Sequence, residues 1–243
     1  MKRLNYLKNS LFIVGLVRAF RGLTIDVRVL IWLVQRKARI ANYLRSHQVK
    51  KLQLGTSNNV LGGWLNTDVF LNDSSVVYLD ATKYFPFYDN TFDYIMSEHM
   101  IEHLEYQGTQ RMLRESYRVL KPGGRVRFAT PDLTVLLALH SKEKTRDQRN
   151  YIDWAITRLM PDVQACKEVF VINNFFRAWG HLFLYDQETL RHALFTSGFR
   201  DIKFYKPGES EDPALKNIES HGREISEEIN QFETIVIEAC KLK

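Results

Sequence analysis

The chain has 243 residues, 45% of them hydrophobic and 26% charged, which suits one domain with a real core and excludes a disordered or fibrous chain. Two cysteines, Cys166 and Cys240, are too few for a disulfide framework, so a reducing, cytoplasmic setting is expected. The net charge of +6 is uneven: residues 1–51 hold twelve Lys or Arg against one acid, Asp26, a local charge of +11, and the remainder carries −5. The basicity therefore belongs to an arm, and the mildly acidic body is a poor nucleic-acid binder.

That arm, residues 1–48, contains two apolar runs, 11–17 and 29–34. Both fall well short of the roughly 18 residues a membrane span needs. The stretch Arg18-Ala-Phe-Arg21 also lacks the small-residue site of a cleaved signal peptide. One or two basic amphipathic helices are expected instead, either packed on the domain or docked peripherally on an acidic membrane face. Ile40, Tyr43 and Leu44 keep helical spacing up to Arg45.

The domain proper, 49–243, opens with four short apolar runs. Val49–Leu54, Trp64–Asp68, Val76–Leu79 and Phe92–Met96 each end at a polar residue or glycine. Buried parallel strands read this way when the loops at one edge carry function. A helix is predicted from about Gln107 to Leu120, stopped by Lys121-Pro-Gly-Gly124. A fifth strand, Arg125–Thr130, follows. Residues 133–185 show no strand signal and read as a helical cap inserted before the sixth strand, with one helix around Asp147–Leu159. A helix from Asp186 to Ser197 leads into the sixth strand, Phe199–Tyr205; a polar stretch, 206–231, separates it from the last, Glu233–Ala239. The predicted architecture is α/β, Rossmann-like, with seven strands, mostly parallel, the last antiparallel.

The chemistry-bearing residues fall at the strand ends. Gly55, followed by Thr56 and Ser57, lets the first strand turn sharply beside a ligand. Thirteen residues after Gly55, Asp68 ends the second strand, where an acid accepts the hydroxyls of a ribose. The Gly-x-Gly-x-x-Gly of a dinucleotide fold is absent and its acid would come about 20 residues on, so NAD is disfavoured. Asp80 ends the third strand, where its carboxylate bonds an adenine amine or caps a helix, with Ala81 against the ring. The fourth strand emerges at Ser97, and Glu98, His99, Glu102 and His103 follow at once. On a helix His99, Glu102 and His103 share a face. The His99–His103 spacing is that of a helical zinc site, but the acid is not in the His-Glu-x-x-His position, so no metal is expected.

Five segments together resemble the small-molecule methyltransferases of the type 11 group: Leu52-Gln-Leu-Gly55, Gly63-Trp-Leu-Asn-Thr-Asp68, Phe85-Pro-Phe87, Asn90–His99 and Arg118-Val-Leu-Lys-Pro-Gly-Gly124. The resemblance covers about residues 50–132 and, more loosely, the last two strands. It implies a class I methyltransferase with S-adenosylmethionine as cofactor. On it, the Gly55 loop passes beside the methionine part, Asp68 holds the ribose, Asp80 the adenine, Ser97 and Glu98 line the cofactor near the methyl, and His99 and His103 face the acceptor. One departure stands out: the family has a second glycine where this chain has Ser57. That keeps open a non-catalytic, cofactor-binding or scaffold role.

For the enzyme, orientation supplies most of the catalysis, and an alcohol acceptor also needs a base. His99, His103 and His181 are the candidate bases. The cap should fold over the strand ends and supply an acceptor pocket from Phe175, Phe176, Trp179, His181 and Tyr185, with Glu102 and Asp132 beside it. The same aromatics also read as plain core. A small molecule or saccharide is the expected acceptor, since similar proteins often accompany sugar-polymer functions. A nucleic acid is not expected, because Ser97-Glu-His99 stands where a base-gripping Asn/Asp-Pro-Pro-aromatic motif would be.

Overall fold

Short apolar runs closed by polar residues build one twisted sheet. A computed structural model describes residues 35–71 and 73–243. Its strands are β1 (Lys51–Leu54), β2 (Leu65–Asp68), β3 (Val77–Tyr78), β4 (Phe92–Glu98), β5 (Leu120–Pro131), β6 (Arg200–Tyr205) and β7 (Thr234–Cys240), in the order β3-β2-β1-β4-β5-β7-β6. The first five are parallel, and β7 runs antiparallel to both β5 and β6. The seven-stranded α/β expectation is met.

Leu52, Leu54, Ile95, Met96, Val126 and Phe128 on the three central strands have no exposed surface. Burying each such side chain contributes about 1.5–3 kcal/mol. The order reverses between β1 and β4, so the crevice at the carboxyl ends of those strands is where such a sheet takes a ligand.

The observed helices of this unit are α2 (Tyr106–Val119), α3 (Leu133–Ala138), α4 (Arg146–Leu159), α5 (Glu168–Arg177), α6 (Gln187–Thr196), α7 (Gly222–Ile225) and α8 (Glu227–Glu233). Thr145 starts α4 with a full capping box to Gln148, and Asp186 caps α6 through Thr189 N–H. Two boundaries differ from expectation. The Lys121–Gly124 turn belongs to β5, because Leu120 pairs with Phe92 and the Gly123 N–H donates to the Lys241 carbonyl. The polar stretch after β6 also contains two short helices, α7 and α8.

Those two helices complete the cap. Leu136, Tyr151, Ile152, Ala155, Val171 and Phe175 share one apolar core with Ile229, and Ile225 and Phe232 pack against it. The stretch before α7 is pinned to the sheet by a fully buried charge. Arg127 on β5 pairs with Glu238 on β7 at 2.5 Å and with Glu219, and donates to the Glu209 carbonyl at 2.7 Å.

The chain divides into two units, 1–46 and 47–243. In the first, residues 35–46 form helix α1 with Ile40 and Tyr43 buried, matching the helical spacing. The apolar runs 11–17 and 29–34 lie outside the described residues. No described helix is long and apolar enough to cross a membrane.

Candidate active site

A cavity of about 420 Å³ opens at the carboxyl ends of β1 and β4. On one side lie Gln53 and the loop Gly55–Asn59. On the other lie Glu98, His99, Glu102 and His103, and the cap contributes Trp154, Phe175, Trp179 and His181. The segment from Ser220 to Ile225 and Glu233 close the rest.

Gly55 has φ +67°, and a Cβ there would stand 2.3 Å from Met100 Cγ. The glycine is therefore required by Met100, in the turn that follows β4, as well as by its own turn. Ser57 has φ +48°, so its backbone adopts the left-handed conformation that the family's glycine would take. Its N–H donates to Asp68 Oδ2 at 2.7 Å, and the side chain lines the cavity.

Glu98 joins the two lips. Its carboxylate accepts from the N–H of Ser220 and of His221 at 2.9 Å and from Asn59 Nδ2 at 3.1 Å. His99 follows with φ +44°, its N–H held by the Ala129 carbonyl at 2.9 Å. Only Ile101–His103 is helical, as a single tight turn. His99 therefore does not share a helix face with Glu102 and His103, a correction to the sequence expectation, because the left-handed residue breaks the periodicity. The contact forms by another route: His99 Nδ1 stands 3.2 Å from Glu102 Oε1, and its ring stacks on His221 with centroids 3.8 Å apart. Burial pushes the His99 imidazolium down, but the carboxylates of Glu102, Glu233 and Glu98 outweigh it, and the net shift is upward. Glu102 is fully enclosed; burial works against its charge, yet His99 holds its carboxyl below the usual range.

His181 arrives from the cap. Leu182 N–H and Phe183 N–H both donate to the Glu102 carbonyl, at 2.8 and 3.2 Å, which fastens this strip against the turn. His181 Nδ1 donates to the Phe175 carbonyl at 2.8 Å, and burial lowers the ring's pKa. The ring meets His103 edge-on, with centroids 5.0 Å apart.

Of the sequence candidates, the structure gathers Gly55, Thr56, Ser57, Glu98, His99, Glu102, His103, Trp179 and His181 around one cavity. It places Asp68, Asp80, Ala81, Ser97, Asp132 and Tyr185 outside the lining. Asp68 also accepts from Phe70 N–H, and Asp80 closes a turn with the Thr82 N–H and hydroxyl. Ser97 is buried in β4, Asp132 caps α3 through Thr134 N–H, and Tyr185 is fully buried with burial pushing its hydroxyl up to about 12. Phe175 is both core and wall, while Phe176 is half exposed and lies outside the lining. Gln53, Asn59, Ser220, His221 and Glu233 were not singled out from sequence.

A family model described as a methyltransferase domain matches residues 51–128, the stretch from β1 through most of β5. That stretch is similar to a methyltransferase domain. No curated protein matches. Solved structures similar to it include a SAM-dependent methyltransferase from Archaeoglobus fulgidus, 20% identical, TM-score 0.49, covering 88% of this chain and 94% of that one. Another is a possible histamine N-methyltransferase from Thermotoga maritima, 15% identical, TM-score 0.46, covering 89% and 95%. A third is phosphoethanolamine N-methyltransferase 2 from Haemonchus contortus, 16% identical, TM-score 0.45; the match covers 85% of this chain but only 53% of the Haemonchus one.

S-adenosylmethionine is the cofactor of such a domain, and the residues present fit it. The Gly55–Asn59 loop lines the cavity. Gln53, at its base, keeps a buried Oε1 without a hydrogen-bond partner, an acceptor available to the amino or hydroxyl groups of a ligand. Asp68 acts one step back from the cavity, holding the loop through Ser57 N–H.

Proposed function

We propose that the domain transfers the methyl of S-adenosylmethionine to a hydroxyl of a small molecule or saccharide, with His99 as the general base. One observation carries the reading: the glycine loop and an imidazole backed by a buried carboxylate face each other across a single cavity. The bound cofactor supplies an already activated methyl, so the chain's work is placement and proton removal. The Gly55–Asn59 loop orients the donor. Glu102 fixes the His99 ring, and His99 takes the hydroxyl proton as the acceptor oxygen attacks. Trp179 and Phe175 give the acceptor apolar faces to lie on, which suits the ring of a sugar.

Calorimetry with S-adenosylhomocysteine should show one site per chain; absence of heat and of any thermal shift at millimolar ligand would sink the reading. Against an acceptor panel of hydroxylated small molecules and saccharides, His99→Ala should lower kcat by about 10²–10⁴-fold while leaving S-adenosylhomocysteine affinity within a few-fold.

The proposal extends to the arm. The charge of +11 over residues 1–51 supports docking on an acidic membrane surface, the inner face for a cytoplasmic protein. Co-sedimentation with vesicles containing anionic lipid should fall to background when the chain starts at Lys37; equal binding by both forms removes this part.

A further inference from the structure

We propose that Glu102, His103 and His181 form a binding site for a divalent transition-metal ion of the Zn²⁺ class, with its open coordination position facing the cavity. The donor atoms of the three side chains lie within 4.8 Å of one another, and all three residues line the cavity. Two imidazoles and one carboxylate with a vacant fourth place are the donor set of a catalytic rather than a structural zinc site.

The geometry around each donor agrees. Glu102 Oε1 is fully enclosed with His99 Nδ1 at 3.2 Å, and a carboxylate oxygen that meets one donor keeps a second lone pair for an ion. Its other oxygen, Oε2, accepts from Thr130 Oγ1 at 3.0 Å, which aims the carboxylate. His181 spends its Nδ1 proton on the Phe175 carbonyl, so Nε2 presents a lone pair. That outer hydrogen bond is the usual accompaniment of a ligating histidine. The two backbone bonds to the Glu102 carbonyl hold the His181 strip and the Glu102–His103 turn in place before any ion arrives.

Ring geometry separates this group from its neighbour. With metal–nitrogen bonds of about 2.0–2.1 Å and tetrahedral angles, two ligating imidazoles have centroids roughly 5 Å apart. The His103 and His181 rings stand at 5.0 Å and 66°. A second group, His99, His221 and Glu233, also brings its donor atoms within 4.8 Å. Its imidazoles, however, stack at 3.8 Å and 33°, so their in-plane lone pairs run side by side and do not converge. The sequence reading of His99 and His103 as a helical pair thus gives way to His103 paired with a histidine 78 residues on, brought in by the cap.

The site itself stands on this geometry; its role rests on the methyl-transfer reading. There, an ion held by Glu102, His103 and His181 would supply Lewis acidity to an acceptor hydroxyl whose proton His99 would take; the new C–O bond would form as the C–S bond breaks, the pair going to sulfur.

The test is Zn²⁺ titration of the full chain by calorimetry, with metal content after gel filtration and S-adenosylhomocysteine binding measured on the same samples. One retained equivalent per chain is expected, and Co²⁺ in its place should give a tetrahedral visible spectrum. His103→Ala and His181→Ala should each weaken Zn²⁺ binding by about 100-fold or more, beyond the loss from an outer partner alone. His140→Ala, at an exposed histidine, should leave it intact. Folded protein that retains no zinc overturns the inference. So does zinc binding that survives both cavity substitutions, or that is lost instead with His221→Ala. Zinc binding without S-adenosylhomocysteine binding would keep the metal site and remove the methyl-transfer reading.

Discussion

Three non-glycine residues lining the cavity, Ser57, His99 and Trp179, hold left-handed backbone. Such residues persist only where their surroundings over-determine them, and they gather at functional sites. Gly55 shows the opposite economy. An added Cβ would meet Met100 and would still have to adopt φ +67°. Gly55→Ala should therefore destabilise the fold by about 1–3 kcal/mol in denaturant melts. Met100→Ala should return the steric share and leave the dihedral share, a coupling that a double-mutant cycle reads directly. At this scale the sequence was partly legible. Gly55, Glu98, His99 and His103 announce themselves by type and position at strand ends. Left-handed φ at His99 does not, because nothing in Ser-Glu-His-Met forbids a helix; the structure breaks it by bonding His99 N–H to β5.

Among elements, β7 explains what sequence reading missed. It pairs antiparallel with β5, so its first residues stand at the edge where β4 and β5 end. Glu233, just before it, is thereby delivered to the cavity, and Thr234 Oγ1 comes within 3.3 Å of His99 Nε2. An antiparallel last strand was expected, and that expectation already implied that the residues entering it share the functional edge. His221 was less accessible to such reasoning. Its place depends on Arg127 anchoring Glu209 and Glu219, thirteen and three residues before α7, contacts between residues more than eighty positions apart. Glu98 then completes the connection between β4 and this segment. Glu98→Gln replaces one acceptor oxygen by a donor facing backbone N–H groups, with charge-assisted bonds worth about 1.5–3 kcal/mol at stake. S-adenosylhomocysteine affinity should drop roughly tenfold or more, and amides near 220–221 should exchange faster; unchanged affinity would show that the clasp is not part of the binding state.

On the scale of the whole unit, the sheet and the cap are distinct in their cores. The sheet was readable from alternation of apolar runs with polar ends. The cap was readable only as helical, since its partners Ile229 and Phe232 lie beyond β6 in sequence. Native-state hydrogen exchange in low denaturant should show 146–177 and 222–233 losing protection together, ahead of β1, β4 and β5. Separate opening of the two segments would contradict the shared core.

That shared core bears on traffic through the cavity. Its roof is made from two stretches of chain, one on each side of β6, that pack as a single body. A bulky acceptor cannot be admitted by one flap swinging aside; two distant segments have to lift in concert. On the methyl-transfer proposal the product leaves by the same paired movement, and a substitution that slows that movement is expected to slow turnover.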